Sequence, residues 1–490
     1  MLDSVFPNLH LLTVALALPG LAALLVWAMG AGRLGASRIV GIGASALSGL
    51  ILTFAAFRFA PETGLQLGDR YAFWPELGTS LAFAVDGLSL PFALLAAALG
   101  TLGVSAARRH HELAFALLAQ TAALLLFLSQ DLFVFLVAFW ALPLVLYILF
   151  NGWGRGRAEY AATKFLVVLL TGAALLTVSL LAIHLVGNSN GSMAALWITK
   201  PGFPLDFLNH AVLLGILLAA WVAVPLFPFH TWLADAVDSA PPSAIPLIVG
   251  GVQAGGAYAF VRLAMGFFPS YLQPWLPWIA ALGILTALYA LMASWGQRTL
   301  LRSLALLGVA IAGTAVAGFC SIPGPETGIT LERSLLLVLA ATGTGGLLAW
   351  LTSELSWRSG PSDALLARLG FVTPRGAAFW VGIGAVALVV VLVPAVMLIP
   401  PAIAANRMGL VIGLGLALLG ILLTGGLELR RALIAPVTPA HVDGVEDISP
   451  RALAFGWGSL LVAAIPLFWL IFGSRAIAVF ASQLSLGFVR

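Results

Sequence analysis

Runs of about twenty apolar residues, divided by short connections rich in arginine, glycine and proline, recur along the whole chain. They fall at 9–30, 37–57, 80–105, 112–129, 132–150, 161–187, 208–227, 243–268, 274–295, 299–321, 333–353, 376–400, 408–427 and 452–473. An α-helix rises about 1.5 Å per residue, so about twenty residues cross a hydrocarbon core of roughly 30 Å. Strands of a membrane barrel would instead alternate in polarity over segments of about ten residues. The pattern therefore predicts an all-α integral membrane protein of about fourteen transmembrane helices. The longer polar connections, at 58–79, 188–207, 354–375 and 428–451, carry too little apolar content to fold alone. Phe229–Pro242 reads as an interruption between the seventh and eighth spans, not a crossing.

Composition sharpens this picture. Of 490 residues, 61% are hydrophobic and 9% charged, where a soluble domain has about 25% charged. The formal net charge of +4 points to topology, not to nucleic acid. Arg33 and Arg38, Arg108 and Arg109, Arg155 and Arg157, Arg298, Arg358 with Arg368 and Arg375, and Arg430 with Arg431 and Arg451 all fall in odd-numbered connections. The bias predicts odd connections in the cytoplasm and both termini outside. Leu11–Met29 lacks a basic leader, so no cleavable signal peptide is expected. The single cysteine, Cys320, rules out a disulfide framework, a cysteine-ligated cluster or a zinc ribbon within the chain, and reads as a buried thiol. No phosphate-binding or dinucleotide-binding glycine motif is present, and Thr342–Gly346 reads as close helix packing. No cofactor or metal site is expected.

The seventh span is interrupted by Pro225 and Pro228 in "PLFPFHTWLADAVDSAPP". Proline removes an amide donor and clashes one turn back, and lipid tolerates this only where protein or a water-filled cavity satisfies the freed carbonyls. Pro394, with Pro400 and Pro401 after it, predicts a second break in the twelfth span. Two broken helices suggest an internal repeat, as in transporters; packing kinks without function are the alternative.

Four stretches carry a family resemblance: "FAVDGLSLPFALL" (Phe83 to Leu95), "YAATKFLVVLLTGAALL" (Tyr160 to Leu176), "PLFPFHTWLADA" (Pro225 to Ala236) and "GGAYAFVRL" (Gly255 to Leu263). They resemble the antiporter-like membrane chains of respiratory complex I, of the type called chain M or chain 4, over about residues 80–375. The resemblance implies two inverted five-helix repeats with broken helices 7 and 12. The expected organisation is then helices 1–3 in 1–105, the first repeat in 106–270, the second in 271–430 and helix 14 in 431–490. It also implies a proton path of buried ionisable residues along the midplane, and here the sequence departs. Ala141 stands where such chains carry a glutamate, and Ala223 and Ala254 stand where they carry lysines. Thr299, Leu301, Leu306 and Leu307 occupy positions that are usually polar or charged, and Gly376–Asn406 holds no ionisable side chain. Losing one partner of a buried pair strands the other at roughly 3–5 kcal/mol, whereas losing both avoids that penalty. Ala141 and Ala223 thus read as a joint loss.

The polar residues that remain divide as follows. His230 is a water-linked protonatable group or a structural hydrogen-bond partner at the break. Asp235 and Asp238 read as N-cap and turn residues near the aqueous side. Lys164 lies about one turn into its span and either snorkels or lines a channel. Asp86 caps or pairs at the start of the third helix, Gln253 partly replaces a missing lysine, and His184 and Arg262 are expected at interfaces. The resemblance implies a non-redox membrane-arm subunit of a complex I-like NADH- or ferredoxin:quinone oxidoreductase, nominally proton-translocating but degenerate. A subunit of a multisubunit cation/proton antiporter, and a stand-alone transporter or structural subunit of another complex, stay open. Expected partners are other membrane subunits and lipid, without nucleic acid. The expected location is the inner (plasma) membrane or another energy-transducing membrane such as the thylakoid.

Overall fold

The structure, a computed structural model, describes residues 10–62, 64–74, 76, 78–186, 191–320, 327–359, 374–404, 407–434 and 474–489. Thirteen helices among them are long and apolar enough to cross a membrane. They are Leu11–Met29, Leu34–Arg58, Ser89–Ala106, His110–Leu128, Leu132–Trp153, Ala158–Val186, Asp206–Ala223, Ile245–Met265, Pro269–Trp295, Leu300–Phe319, Thr327–Ser359, Pro374–Val396 continued by Ile399–Ala404, and Met408–Ile434. The fourteenth run, 452–473, lies outside the described residues. The third, eighth and eleventh spans are buried along 89%, 100% and 94% of their most apolar stretch, against 28% for the second and 33% for the thirteenth. These three form the centre, and the lipid-facing spans surround them. Odd-numbered connections gather at one end of the bundle, where Arg155 N–H donates to Ser239 O and Arg108 pairs with Glu354. The arginine bias of the sequence is the sole ground for naming this end the inner one.

The third apolar run divides. Thr79–Val85 is strand β2, paired antiparallel with β1, Gln66–Trp74, and the helix begins only at Ser89. Asp86 sets the division: its Oδ1 accepts the N–H groups of Leu88 and Ser89 at 3.1 and 2.8 Å, while its own N–H donates to Ser89 Oγ. Two further carboxylates fasten this outer hairpin. Asp69 accepts from Thr13 N and Oγ1 at the start of the first span, and Asp131 accepts from Ser80 N while capping Phe133 N of the fifth span. The connection 188–207 holds a short helix, Met193–Thr199, and a helix at Ser474–Val489 packs beside the eleventh span.

Both expected breaks are present. The seventh span ends at Ala223, turns through 224–230, and resumes as Thr231–Ser239. Its freed backbone groups find partners inside the protein. Trp232 Nε1 donates to Val222 O at 3.0 Å, Trp221 Nε1 to Phe227 O at 2.9 Å, and Phe227 N–H to Thr286 Oγ1 at 3.2 Å. That satisfies the rule that irregular backbone at membrane depth must be paired. In the twelfth span the chain leaves the helix at Met397–Leu398, not at Pro394, which lies in the last turn of the first segment. The Arg333 guanidinium of the eleventh span donates to the Met397 carbonyl and holds the break.

Candidate proton-path residues and their surroundings

The inner end carries a chain of alternating charges. Lys164 Nζ lies 2.7 Å from Asp235 Oδ2 and 3.2 Å from Thr231 O. The other Asp235 oxygen accepts Arg302 Nη2 at 2.9 Å, Arg302 Nε donates to Asp238 Oδ2 at 2.8 Å, and Thr299 Oγ1 donates to Asp238 Oδ1 at 2.7 Å. Neither aspartate is an N-cap. The cap position of Thr231–Ser239 is His230, without a side-chain bond, and the spacing of three puts both carboxylates on the helix face toward Arg302. The network joins the sixth span, the resumed seventh and the tenth. Lys164 is 23% exposed and ion-paired with Asp235.

Glu112, Ser303 and Glu428, not singled out in the sequence, complete this end together with arginines of the topology bias. Glu112 Oε1 accepts Ser243 Oγ at 2.7 Å, and its Oε2 accepts the N–H groups of Arg108 and Arg109. Arg155 stacks on the Trp357 ring at 3.6 Å and donates to Ser356 O; burial, with Arg108 nearby, pulls its pKa down to about 10. Ser303 Oγ donates to Glu428 Oε1 at 2.8 Å. The one sequence signal for these contacts is the placement of Asp, Glu and Arg within a turn of span ends.

At the outer end, Asp86 and Arg262 form a buried bidentate pair, with Nη1 to Oδ2 at 2.7 Å and Nη2 to Oδ1 at 2.9 Å. Arg262 Nε donates to Tyr258 Oη at 3.1 Å, and Tyr258 Oη donates to Phe127 O. Arg262 is 4% exposed, and its partner lies at the start of the third span, 176 residues away. Asp86 both caps and pairs.

Between these ends the eighth span passes through apolar packing. Ala254 is fully buried and Ala223 is 2% exposed, while Ala141 is half-buried. A Cβ added at Gly256 would lie 2.6 Å from Val224 N and 2.8 Å from Ala223 Cβ, so the eighth span is seated directly on the break. Gln253 is buried, and its Nε2 reaches Gly308 O at 3.5 Å. The hydroxyls of Thr314, Thr342, Thr344 and Thr352 all donate to carbonyls one turn back on their own helices. His230 is 5% exposed, with Phe227 and Tyr289 rings at 6.0 and 5.0 Å; its Nδ1 has no hydrogen-bond partner among the described residues. His184 is half-buried, and Cys320 is buried as expected. The eighth span contains two wide, π-helical stretches, Ile248–Gln253 and Phe260–Met265. Such turns recur at functional sites.

A fully buried eighth span, with the seventh and twelfth spans broken, gives the fold of an antiporter-like membrane protein. Residues 129–340 match the family described as NADH:quinone oxidoreductase/Mrp antiporter, transmembrane region, and the chain is a distant relative of chain 4 subunits of that kind. The chain is 31% identical over 350 residues to an NAD(P)H-quinone oxidoreductase chain 4 of Trichodesmium erythraeum (strain IMS101), covering 69% of this chain and 60% of that one. Alignments span about half to three fifths of the length of the curated relatives. A chain of the respiratory complex I of Thermus thermophilus superposes with a TM-score of 0.83 at 23% identity, covering 96% of this chain and 99% of that one. A chain of the Mrp complex from Dietzia sp. DQ12-45-1b superposes with a TM-score of 0.71 at 18% identity, covering 96% and 51%.

Proposed function

We propose that the chain is a membrane-arm subunit of a complex I-like quinone oxidoreductase in an energy-transducing membrane, and that it does not relay protons through its own midplane. One observation carries the second part: from the fourth to the twelfth span, the inner stretches hold no Asp, Glu, Lys or Arg. Leu113–Gln130, Leu132–Trp153, Phe165–Ile183, Ala211–Phe229, Ile245–Val261, Ser303–Ser321 and Ser334–Ser353 are free of them. A relay needs titratable stations or continuous water, and the threonine hydroxyls here are committed to backbone carbonyls. Ala141, Ala223 and Ala254 then stand for a relay given up as a unit, with 106–270 and 271–430 as repeats that fill a place in an array.

The likeness to a chain of an Mrp complex supports a second reading, a subunit of a cation/proton antiporter without a redox partner. Gentle purification with identification of every co-purifying chain separates the two: quinone-site and iron–sulfur chains support the first, small antiporter chains the second. In the assembled complex, His230→Ala is expected to lower the amount of complex while leaving proton flux per complex unchanged. Normal abundance with abolished flux would refute the non-conducting reading.

A further inference from the structure

At the outer end a cavity of about 270 Å³ opens above the Asp86–Arg262 pair. Gln130, Trp197 and Phe480 form its walls, so the short helix Met193–Thr199 and the helix Ser474–Val489 both contribute. Asp86 and Arg262 both line it, and the cation has capacity to spare. A guanidinium has five N–H groups, and Arg262 commits one to Tyr258 and two to Asp86. Asp86 in turn receives two backbone N–H groups at the start of the third span, so its charge is the better neutralised of the two. A second cation lies behind the wall residue Trp197, outside the cavity lining. Lys200 Nζ lies 5.1 Å from the Trp197 ring centroid and Arg262 Cζ 5.5 Å from it. Lys200 donates to Gly266 O and has no carboxylate partner among the described residues; burial pulls its pKa down, the direction expected of a cation lacking a counter-charge.

We propose that this cavity binds a phosphate group, seated on the uncommitted N–H groups of Arg262, with Lys200 behind Trp197 adding positive potential. The phosphate is that of a phospholipid headgroup or free phosphate. Leu65 and Ile198, 43% and 81% exposed at the rim, give acyl chains an apolar surface to follow. The proposal stands apart from the complex to which the chain belongs.

The test uses the full chain in detergent, stripped of lipid and titrated with dioctanoyl-phosphatidylglycerol or with inorganic phosphate. Binding is read by the thermal midpoint. Lys200→Gln removes the second cation, and Val479→Trp fills the cavity without touching a charge. A saturable response to the lipid, weakened about tenfold by Lys200→Gln and abolished by Val479→Trp, supports the site with lipid as its source. The same pattern with inorganic phosphate alone supports it with free phosphate. No response to either probe, or one unchanged in both variants, overturns it.

Discussion

Arg262→Met should destabilise the chain far more than any removal of a rim charge. The substitution leaves Asp86, 7% exposed, with its two capping N–H groups but no counter-cation. Stranding a buried charge in this way costs about 3–5 kcal/mol. Asp86→Asn strands Arg262 instead, by a similar amount, and keeps an oxygen for the caps. The double variant holds no buried charge, so it should lie well above the sum of the singles, with a coupling of at least about 2 kcal/mol. The exposed pair Arg475–Glu62, 73% and 69% exposed, serves as the control and should show little coupling. The assay is reversible unfolding in mixed micelles of mild detergent and dodecyl sulfate, for the parent, both singles and the double. Singles within about 1 kcal/mol of the parent, or a double equal to their sum, would refute the claim that the pair is desolvated and mutually dependent.

Two further substitutions probe the midplane. Gly256→Ala pushes a methyl against Val224 N and Ala223 Cβ and should cost about 1–3 kcal/mol by the same assay; a neutral result would show that the eighth span is not seated on the break. Ala141→Glu alone should reduce the amount of chain in membranes, and adding Ala223→Lys should restore part of it despite the crowding at Ala223. Equal abundance of the two, measured by immunoblot, would count against the loss of both charges as a pair.

The spans were readable because lipid demands long apolar runs, and the two breaks because clustered prolines disfavour a continuous helix. The hairpin was not. "TSLAFAV" is as apolar as the helix that follows it, and hydropathy does not report that its backbone pairs with Gln66–Trp74. Pro394 pointed to the right region but missed the turn by three residues: the helix runs on through Pro394 to Val396, and the Met397 carbonyl beyond it is satisfied by Arg333. Asp86 was identified as a capping or pairing residue, yet its partner could not be, because 176 residues separate it from Arg262. Asp235 and Asp238 were visible as polar but were assigned local duties. What fixes them are Lys164 and Arg302 from two other helices, and such partners emerge only from the packing.

The wide turns of the eighth span carry a consequence for the whole outer end. Each residue of an α-helix advances about 100° around the axis. Cutting one residue from Ile248–Gln253 to restore ordinary winding would swing everything beyond it by that angle. Arg262 would then face away from the third helix, and Asp86 would look onto hydrocarbon side chains. The surplus residue is thus a rotational setting, and the ionic lock 2.7 Å across is its readout.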